Sequence, residues 1–92
     1  MKISMKEFLK LNNPIIIDIR EKDEYDSGHL NGAINISMNK IILNPEKYLS
    51  KNKTYFIYCQ EGKITKVVCN ILSKLEYRVV EIEGGYNSIK YM

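Results

Sequence analysis

The chain has 92 residues, of which 45% are hydrophobic, and its formal net charge is +3. This length suits one small domain over residues 1–92, with a single core and no room for a separate substrate domain. The modest charge, with no run of Lys or Arg interleaved with aromatic residues, argues against nucleic acid as a partner.

The cysteine content and the N-terminal segment indicate the cellular compartment and the ligands of the protein. Cys59 and Cys69 lie ten residues apart and form no Cys-x-x-Cys motif, and with the single His29 they provide too few ligands for zinc. The charged N-terminal segment lacks the apolar stretch of a signal peptide, and no apolar run approaches membrane length. We therefore expect a reduced, cytoplasmic protein with no metal, no cofactor and no membrane partner.

The predicted elements alternate between strands and helices. Ser4-Met5-Lys6-Glu7 has the pattern of a capping box and predicts a short helix that ends at Pro14. Hydrophobic periodicity then predicts a strand over 15–19, a helix over 21–27, a strand over 33–36, helical pieces over 38–43 and 45–49, and a strand over 54–58. A helix from Thr65, a strand over 78–82, a Gly84-Gly85 turn and a helical turn over 86–91 follow. This order predicts an α/β fold with a mostly parallel central sheet between two layers of helices.

The helix that begins at Thr65 is predicted to be amphipathic. Its apolar face comprises Val67, Val68, Ile71, Leu72 and Leu75, and its polar face comprises Lys66, Asn70, Ser73 and Lys74. Cys69 lies at the edge of the apolar face, and we expect it to pack in the core.

Cys59 lies where a buried strand ends and this helix begins. The carboxyl ends of parallel strands are where ligands bind in such sheets. Loop N–H groups and the positive end of a helix favour an anion, and the thiolate is the reactive form of cysteine. The run from Cys59 to Thr65, with Gly62 free to adopt an unusual backbone conformation, predicts a concave site for a thiolate, a persulfide or an oxyanion. A small buried cysteine that only ends a strand is the alternative interpretation.

Two parts of the chain resemble the signatures of rhodanese-like domains. The first signature, roughly D-x-R, E-[FY] and G-H-[IL]-x-G-A, is matched by Asp18-Ile19-Arg20, Glu24-Tyr25 and Gly28-His29-Leu30-Asn31-Gly32-Ala33. The second half is matched by the strand into Cys59-Gln60-Glu61-Gly62, the amphipathic helix and Glu83-Gly84-Gly85-Tyr86. The resemblance covers nearly the whole chain and implies a single α/β domain with a parallel central sheet.

The resemblance implies a sulfurtransferase. In such enzymes the loop cysteine, here Cys59, carries a sulfane sulfur as a persulfide from thiosulfate or another persulfide to a thiol or protein acceptor. The substrate-binding loop would comprise Gln60, Glu61, Gly62, Lys63, Ile64 and Thr65. Asp18 and Arg20 would support neighbouring loops, and His29 would have a structural role in its turn.

The chain departs from the family in the charge of this loop. Many active family members read C-R-x-G-x-R-[ST], whereas Gln60 and Ile64 stand here in place of the two arginines. Lys63 is the only loop cation and Glu61 opposes it, so we expect weak use of thiosulfate and better use of a persulfide. The family also often has Gly at the position of Glu76, a change that we expect to affect the end of the helix and not the chemistry.

Two other functions fit parts of the pattern. A catalytically weak or inactive rhodanese-like module could bind a partner or sense oxidants, and the missing arginines favour it. A phosphatase or arsenate reductase with a related loop would need Arg six residues after the cysteine, where this chain has Thr65. We therefore reject the phosphatase interpretation and keep the other two.

Overall fold

A five-stranded, all-parallel sheet forms the centre of the computed structural model, which describes residues 1–91. The strands are β1 (Lys2–Ile3), β2 (Ile15–Asp18), β3 (Ile34–Asn35), β4 (Thr54–Tyr58) and β5 (Arg78–Ile82). The helices are α1 (Met5–Phe8), α2 (Lys22–Ser27), α3 (Met38–Leu43), α4 (Pro45–Tyr48) and α5 (Lys63–Lys74), with a 3₁₀ helix over Tyr86–Tyr91. The strands lie in the order β1-β5-β4-β2-β3, and every pairing is parallel, which confirms the predicted α/β fold.

Hydrophobic clusters cover both faces of the sheet. One face packs against residues of α3 and α5, including Ile41 and Leu72, and the other packs against Met5 and Phe8 of α1. Ile57 and Tyr58 are neighbours in β4 and both are fully buried, one in each cluster. β4 is therefore a central strand with two buried faces, as its continuous apolar sequence indicated. Among residues 1–91, no helix has the length and apolar character needed to cross a membrane.

Strand β1 was missed by the sequence analysis. It pairs with the far end of the chain, because Lys2 lies opposite Glu81 and Ile3 opposite Ile82. The Glu83 N–H donates to the Ile3 carbonyl at 2.8 Å. Two residues followed directly by a helix cap are too short to show an alternating pattern. The first helix ends at Phe8, several residues before the predicted end at Pro14, whereas the remaining predicted elements agree with the structure to within two residues at their ends.

The buried face of α5 differs from the predicted one. Thr65, Val68, Cys69 and Leu72 are buried against the sheet. The hydrophobic pattern places three other residues on the packed face. These are Val67, Ile71 and Leu75, and they are 58%, 36% and 46% exposed. At about 100° per residue, the helix is rotated by roughly 80° from the predicted orientation. Cys69 is buried in the core, as predicted.

Glu76 follows α5 in a left-handed conformation, with φ of 70°. A residue with a side chain loses about 1–2 kcal/mol of folding free energy in this conformation, whereas glycine adopts it without strain. Glycine loses part of this advantage because its unfolded chain has more conformational freedom. We predict that Glu76→Gly raises the free energy of unfolding by about 1 kcal/mol, measured by chemical denaturation with an unchanged m-value. Asn13 also has a positive φ, of 49°, but asparagine tolerates it. Asn13→Gly should therefore give a smaller gain, and an equal gain in both variants would contradict this account.

Candidate active site

The sulfur of Cys59 lies in a cradle of backbone N–H groups at the carboxyl end of β4. The Gly62 N–H donates to Sγ at 3.1 Å and the Thr65 N–H at 3.4 Å. Gly62 adopts φ of 93°, which turns the loop back towards the sulfur before α5 begins. Two N–H donors directed at one sulfur, next to a helix N-terminus, form a concave group of the kind that can hold an anion. The loop therefore has the concave form that its sequence predicted.

Thr65 is fully buried, and its inward orientation matches the rotation of α5. Once Thr65 points inward, the residues three, four and seven positions later lie on the same side of the helix. These are Val68, Cys69 and Leu72, which are the other buried residues of α5. The hydroxyl oxygen of Thr65 is also buried, and within residues 1–91 it has no hydrogen-bond partner.

Cys59 is 4% exposed and is reached through a small cavity. The cavity has a volume of about 390 Å³ and is lined by Cys59, Gln60, Glu61, Lys63 and Ile64. Five of the predicted site residues therefore meet around one opening. Lys63 provides positive charge beside the sulfur and Glu61 provides negative charge, while Ile64 adds an apolar wall that is 48% exposed.

The Gly84-Gly85 turn holds the cysteine loop from the other side. The Tyr86 N–H donates to the Cys59 carbonyl at 2.8 Å, and the Asn87 N–H donates to the Gln60 carbonyl at 2.9 Å. A Cβ atom on Gly85 would lie 2.5 Å from the Cys59 carbonyl oxygen. Only glycine can approach this closely, so the turn and the cysteine loop form one packed unit.

Arg20 joins this unit to the end of β2. Its guanidinium forms a buried ion pair with Asp18, with 2.8 Å between Nη2 and Oδ2. It also donates to the Gly28 carbonyl at 2.6 Å and to Gln60 Oε1 at 2.8 Å, and it lies 4.5 Å from the centre of the Tyr86 ring. Burial opposes the charge on Arg20, but the hydrogen bonds and negative charge of Asp18 outweigh it and raise the pKa of Arg20.

Gln60 links Arg20 to the 3₁₀ helix. Its carboxamide oxygen accepts from Arg20, and its Nε2 donates to Asn87 Oδ1 at 2.5 Å. Both ends of the side chain are therefore engaged. The neutral amide fits between these two partners, whereas an arginine here would place a second guanidinium beside Arg20.

Four supporting residues were missed by the sequence analysis. Tyr86 and Asn87 brace the loop as described, and Asn35 Nδ2 donates to the carbonyls of Asp18 and Arg20, each at 3.0 Å. The Tyr58 hydroxyl accepts from the Leu30 N–H at 3.0 Å, and burial raises the pKa of Tyr58 well above its usual value. Their contacts join residues far apart in the chain, so the only local signal was the glycine pair before Tyr86.

Cys69 and His29 have surroundings that differ from those of Cys59. Burial, and then the negative charge of Glu81, raise the pKa of Cys69 to about 12, so it remains a thiol at neutral pH. His29 is exposed, its ring is stacked on Tyr25 at 3.7 Å, and its Nδ1 lies 2.8 Å from the Tyr25 carbonyl. These contacts fit the packing and structural roles expected for the two residues.

Comparison with known proteins gives consistent matches. A family model described as "Rhodanese-like domain" matches residues 3–91. The putative sulfurtransferase YtwF of Bacillus subtilis is 33% identical over 85 residues, which cover 89% of this chain and 80% of that protein. The thiosulfate sulfurtransferase PspE of Escherichia coli is 34% identical over 77 residues, which cover 79% of this chain and 71% of that protein.

The same resemblance extends to a longer protein and to solved structures. The chain is 33% identical over 78 residues to a probable molybdopterin-synthase adenylyltransferase of Porphyra purpurea, but it spans only 20% of that protein. A crystal structure from Staphylococcus saprophyticus superposes with a TM-score of 0.85 at 31% identity and covers 95% of this chain and 90% of that chain. A rhodanese-like domain protein from Staphylococcus aureus superposes with a TM-score of 0.80 at 27% identity and covers 95% of this chain and 89% of that chain.

The contact between Gly85 and the cysteine loop can be tested by a matched pair of substitutions. Gly85 and Gly32 both have left-handed backbones, with φ of 63° and 85°, but a Cβ on Gly32 would meet nothing within 4 Å. Gly32→Ala should cost about 1–2 kcal/mol of unfolding free energy for the conformation alone. Gly85→Ala should cost a further 1–3 kcal/mol through the clash. Equal costs in denaturant titrations would show that the close approach is unimportant.

Proposed function

The chain belongs to the rhodanese-like domain family, and on that basis we propose that it is a sulfurtransferase with Cys59 as its persulfide carrier. Relatives named sulfurtransferases support the general class. The observation that carries the proposal is the pair of N–H groups, from Gly62 and Thr65, at the Cys59 sulfur. The same two donors would stabilise the Sγ thiolate that takes up the sulfur and the Sγ thiolate that is released when the persulfide is consumed.

In the first step the Cys59 thiolate attacks the outer sulfur of the donor. With thiosulfate, the sulfur–sulfur bond of the donor breaks and sulfite leaves with the electron pair. With a persulfide donor, the leaving group is a thiolate. A new bond joins Cys59 Sγ to the transferred sulfur, and the cavity beside Glu61, Lys63 and Ile64 receives the donor. This is covalent catalysis that divides one transfer into two displacements.

In the second step an acceptor thiolate attacks the terminal sulfur of the Cys59 persulfide. The bond between that sulfur and Sγ breaks, and Sγ keeps the electron pair as a thiolate. The Gly62 and Thr65 N–H groups stabilise this leaving group as it forms. The cycle ends with the enzyme in its starting state and the acceptor carrying the persulfide.

The charge around the cavity favours a persulfide over thiosulfate as the donor. Lys63 is the only cation of the loop, and Glu61 offsets it. Gln60 adds no charge, and its amide is occupied by Arg20 and Asn87. A dianionic donor therefore gains little from this loop. The same lack of charge favours the second candidate, a non-catalytic module that binds a partner or senses oxidants.

We predict that Cys59 gains one sulfur atom on incubation with thiosulfate or glutathione persulfide, as detected by mass spectrometry of the intact protein and its peptides. Cys59→Ser should show no gain and no sulfur transfer above background. Cys69→Ser is the matched control, because its sulfur is buried in the core, and it should keep most of the activity. Transfer by Cys59→Ser would exclude the proposed mechanism. No sulfur gain from any donor would favour the non-catalytic module.

We also predict that Ile64→Arg increases kcat/KM for thiosulfate about ten- to a hundred-fold. A charge-assisted hydrogen bond to the incoming anion contributes ~1.5–3 kcal/mol if it is made in the transition state. Lys63→Ala should lower the same constant. Ser73→Arg adds an equal charge on a distant exposed part of α5 and should change it little. If neither loop variant changes thiosulfate kinetics, loop charge does not determine the donor.

A further inference from the structure

A row of exposed apolar side chains runs along α5. We call it the α5 stripe, and it comprises Ile64, Val67, Ile71 and Leu75, which are 48%, 58%, 36% and 46% exposed. At about 100° per residue, the four lie within an arc of about 80°, directly beside the arc that packs on the sheet. Single exposed apolar residues are common on protein surfaces, but a contiguous row is typical of an interaction site.

The α5 stripe begins at the opening to the reactive cysteine. Ile64 is both its first member and a wall of the cavity that leads to Cys59. The remaining members extend away from that opening along the helix. A molecule that covers the α5 stripe would therefore reach the cavity at one end, and it would need to be larger than a simple sulfur donor.

The charges beside the α5 stripe restrict the chemistry of that molecule. α5 contains three lysines and no acidic residue. Lys66 forms an ion pair with Glu81 at 3.6 Å, whereas Lys63 and Lys74, at the outer edge of the stripe, have no ion-pair partner within residues 1–91. Glu61 and Glu76 lie in the loops at the two ends of the helix. A second copy of this chain would bring lysine against lysine, so an acidic surface is the better complement.

We propose that the α5 stripe docks the protein that accepts sulfur from Cys59, and that the contact surface of this acceptor is an apolar patch with acidic side chains around it and a cysteine beside it. This inference rests on the proposed sulfurtransferase function. The acceptor thiolate attacks the terminal sulfur of the Cys59 persulfide, the bond to Sγ breaks, and Sγ keeps the electron pair. One persulfide is exchanged for another, so no oxidant or reductant is consumed.

The first experiment tests docking without sulfur transfer. The probe is a synthetic amphipathic helical peptide with leucine on one face, glutamate on the other and serine in place of a terminal cysteine. A second peptide has lysine in place of every glutamate. Titration of ¹⁵N-labelled Cys59→Ser protein should give saturable shifts along α5 with the acidic peptide, and at least tenfold weaker binding with the basic one, about 1.4 kcal/mol.

Substitutions then locate the contact. The double variant Val67→Glu/Ile71→Glu should weaken binding of the acidic peptide by at least about tenfold. The matched control Asn70→Glu/Ser73→Glu adds the same charge to exposed positions of the same helix outside the α5 stripe, and it should weaken binding by no more than about threefold. Circular dichroism and unfolding curves of each variant check that the fold is retained.

The second experiment tests whether docking assists transfer. The protein with intact Cys59 is loaded with sulfur, and transfer is timed to the acidic peptide with its cysteine restored and to dithiothreitol. Val67→Glu/Ile71→Glu should slow transfer to the peptide by at least about tenfold and leave transfer to dithiothreitol unchanged. Equal slowing with both acceptors would overturn a docking role. If Cys59 takes up no sulfur at all, the proposed function fails, while the binding titration still decides whether the α5 stripe recognises an acidic apolar surface.

Four further results would overturn the proposal. Absence of saturable binding at millimolar peptide, or shifts that map away from α5, would show that the α5 stripe is not this docking surface. Self-association that Val67→Glu/Ile71→Glu abolishes would assign the stripe to a second copy of the chain. Sedimentation of the protein with phosphatidylserine vesicles, lost in the same variant, would assign it to a membrane surface.

Discussion

The buried ion pair between Asp18 and Arg20 is the interaction on which the site depends. The two charges can stay inside the protein because the guanidinium meets a carboxylate, the Gly28 carbonyl and the Gln60 amide at once. Removing one partner of such a pair costs about 3–5 kcal/mol, since the other is left uncompensated. Asp18 ends β2 and Arg20 lies in the loop after it. β2 pairs with β4, the strand that leads to Cys59, so the position of the ion pair determines where Arg20 holds Gln60 beside the sulfur.

Two kinds of contact support Cys59, one made by backbone groups and the other by side chains. Backbone groups of the loop and of α5 act on the sulfur itself, through Gly62 and Thr65. Side chains act one layer further out, where Arg20, Gln60 and Asn87 form a continuous hydrogen-bonded row. Because backbone donors depend little on side-chain identity, the loop can exchange arginine for glutamine without losing the cradle. What the exchange alters is the charge that lines the cavity beside Cys59.

The sequence predicted the features that depend on neighbouring residues. The run over Thr54–Tyr58 showed a buried strand, and its junction with a helix located Cys59 at the correct edge of the sheet. Contacts between distant residues left no local pattern, which is why β1 and the partners of Gln60 were missed. The predicted orientation of α5 was wrong because hydrophobicity alone placed Val67 inside, whereas the helix buries the polar Thr65 beside the cysteine loop. The apolar residues left outside are the origin of the α5 stripe.

The bracing of the cysteine loop by the Gly84-Gly85 turn also sets an order of events during biosynthesis. The carbonyls of Cys59 and Gln60 are held by N–H groups of Tyr86 and Asn87, and β1 finds its partner only in β5. A ribosome adds these residues after Cys59, since translation runs from the N-terminus. Until then the cysteine loop of the growing polypeptide lacks these two hydrogen bonds. The braced form of the cysteine loop is thereby delayed until translation has passed Asn87, and a prematurely terminated product would lack it.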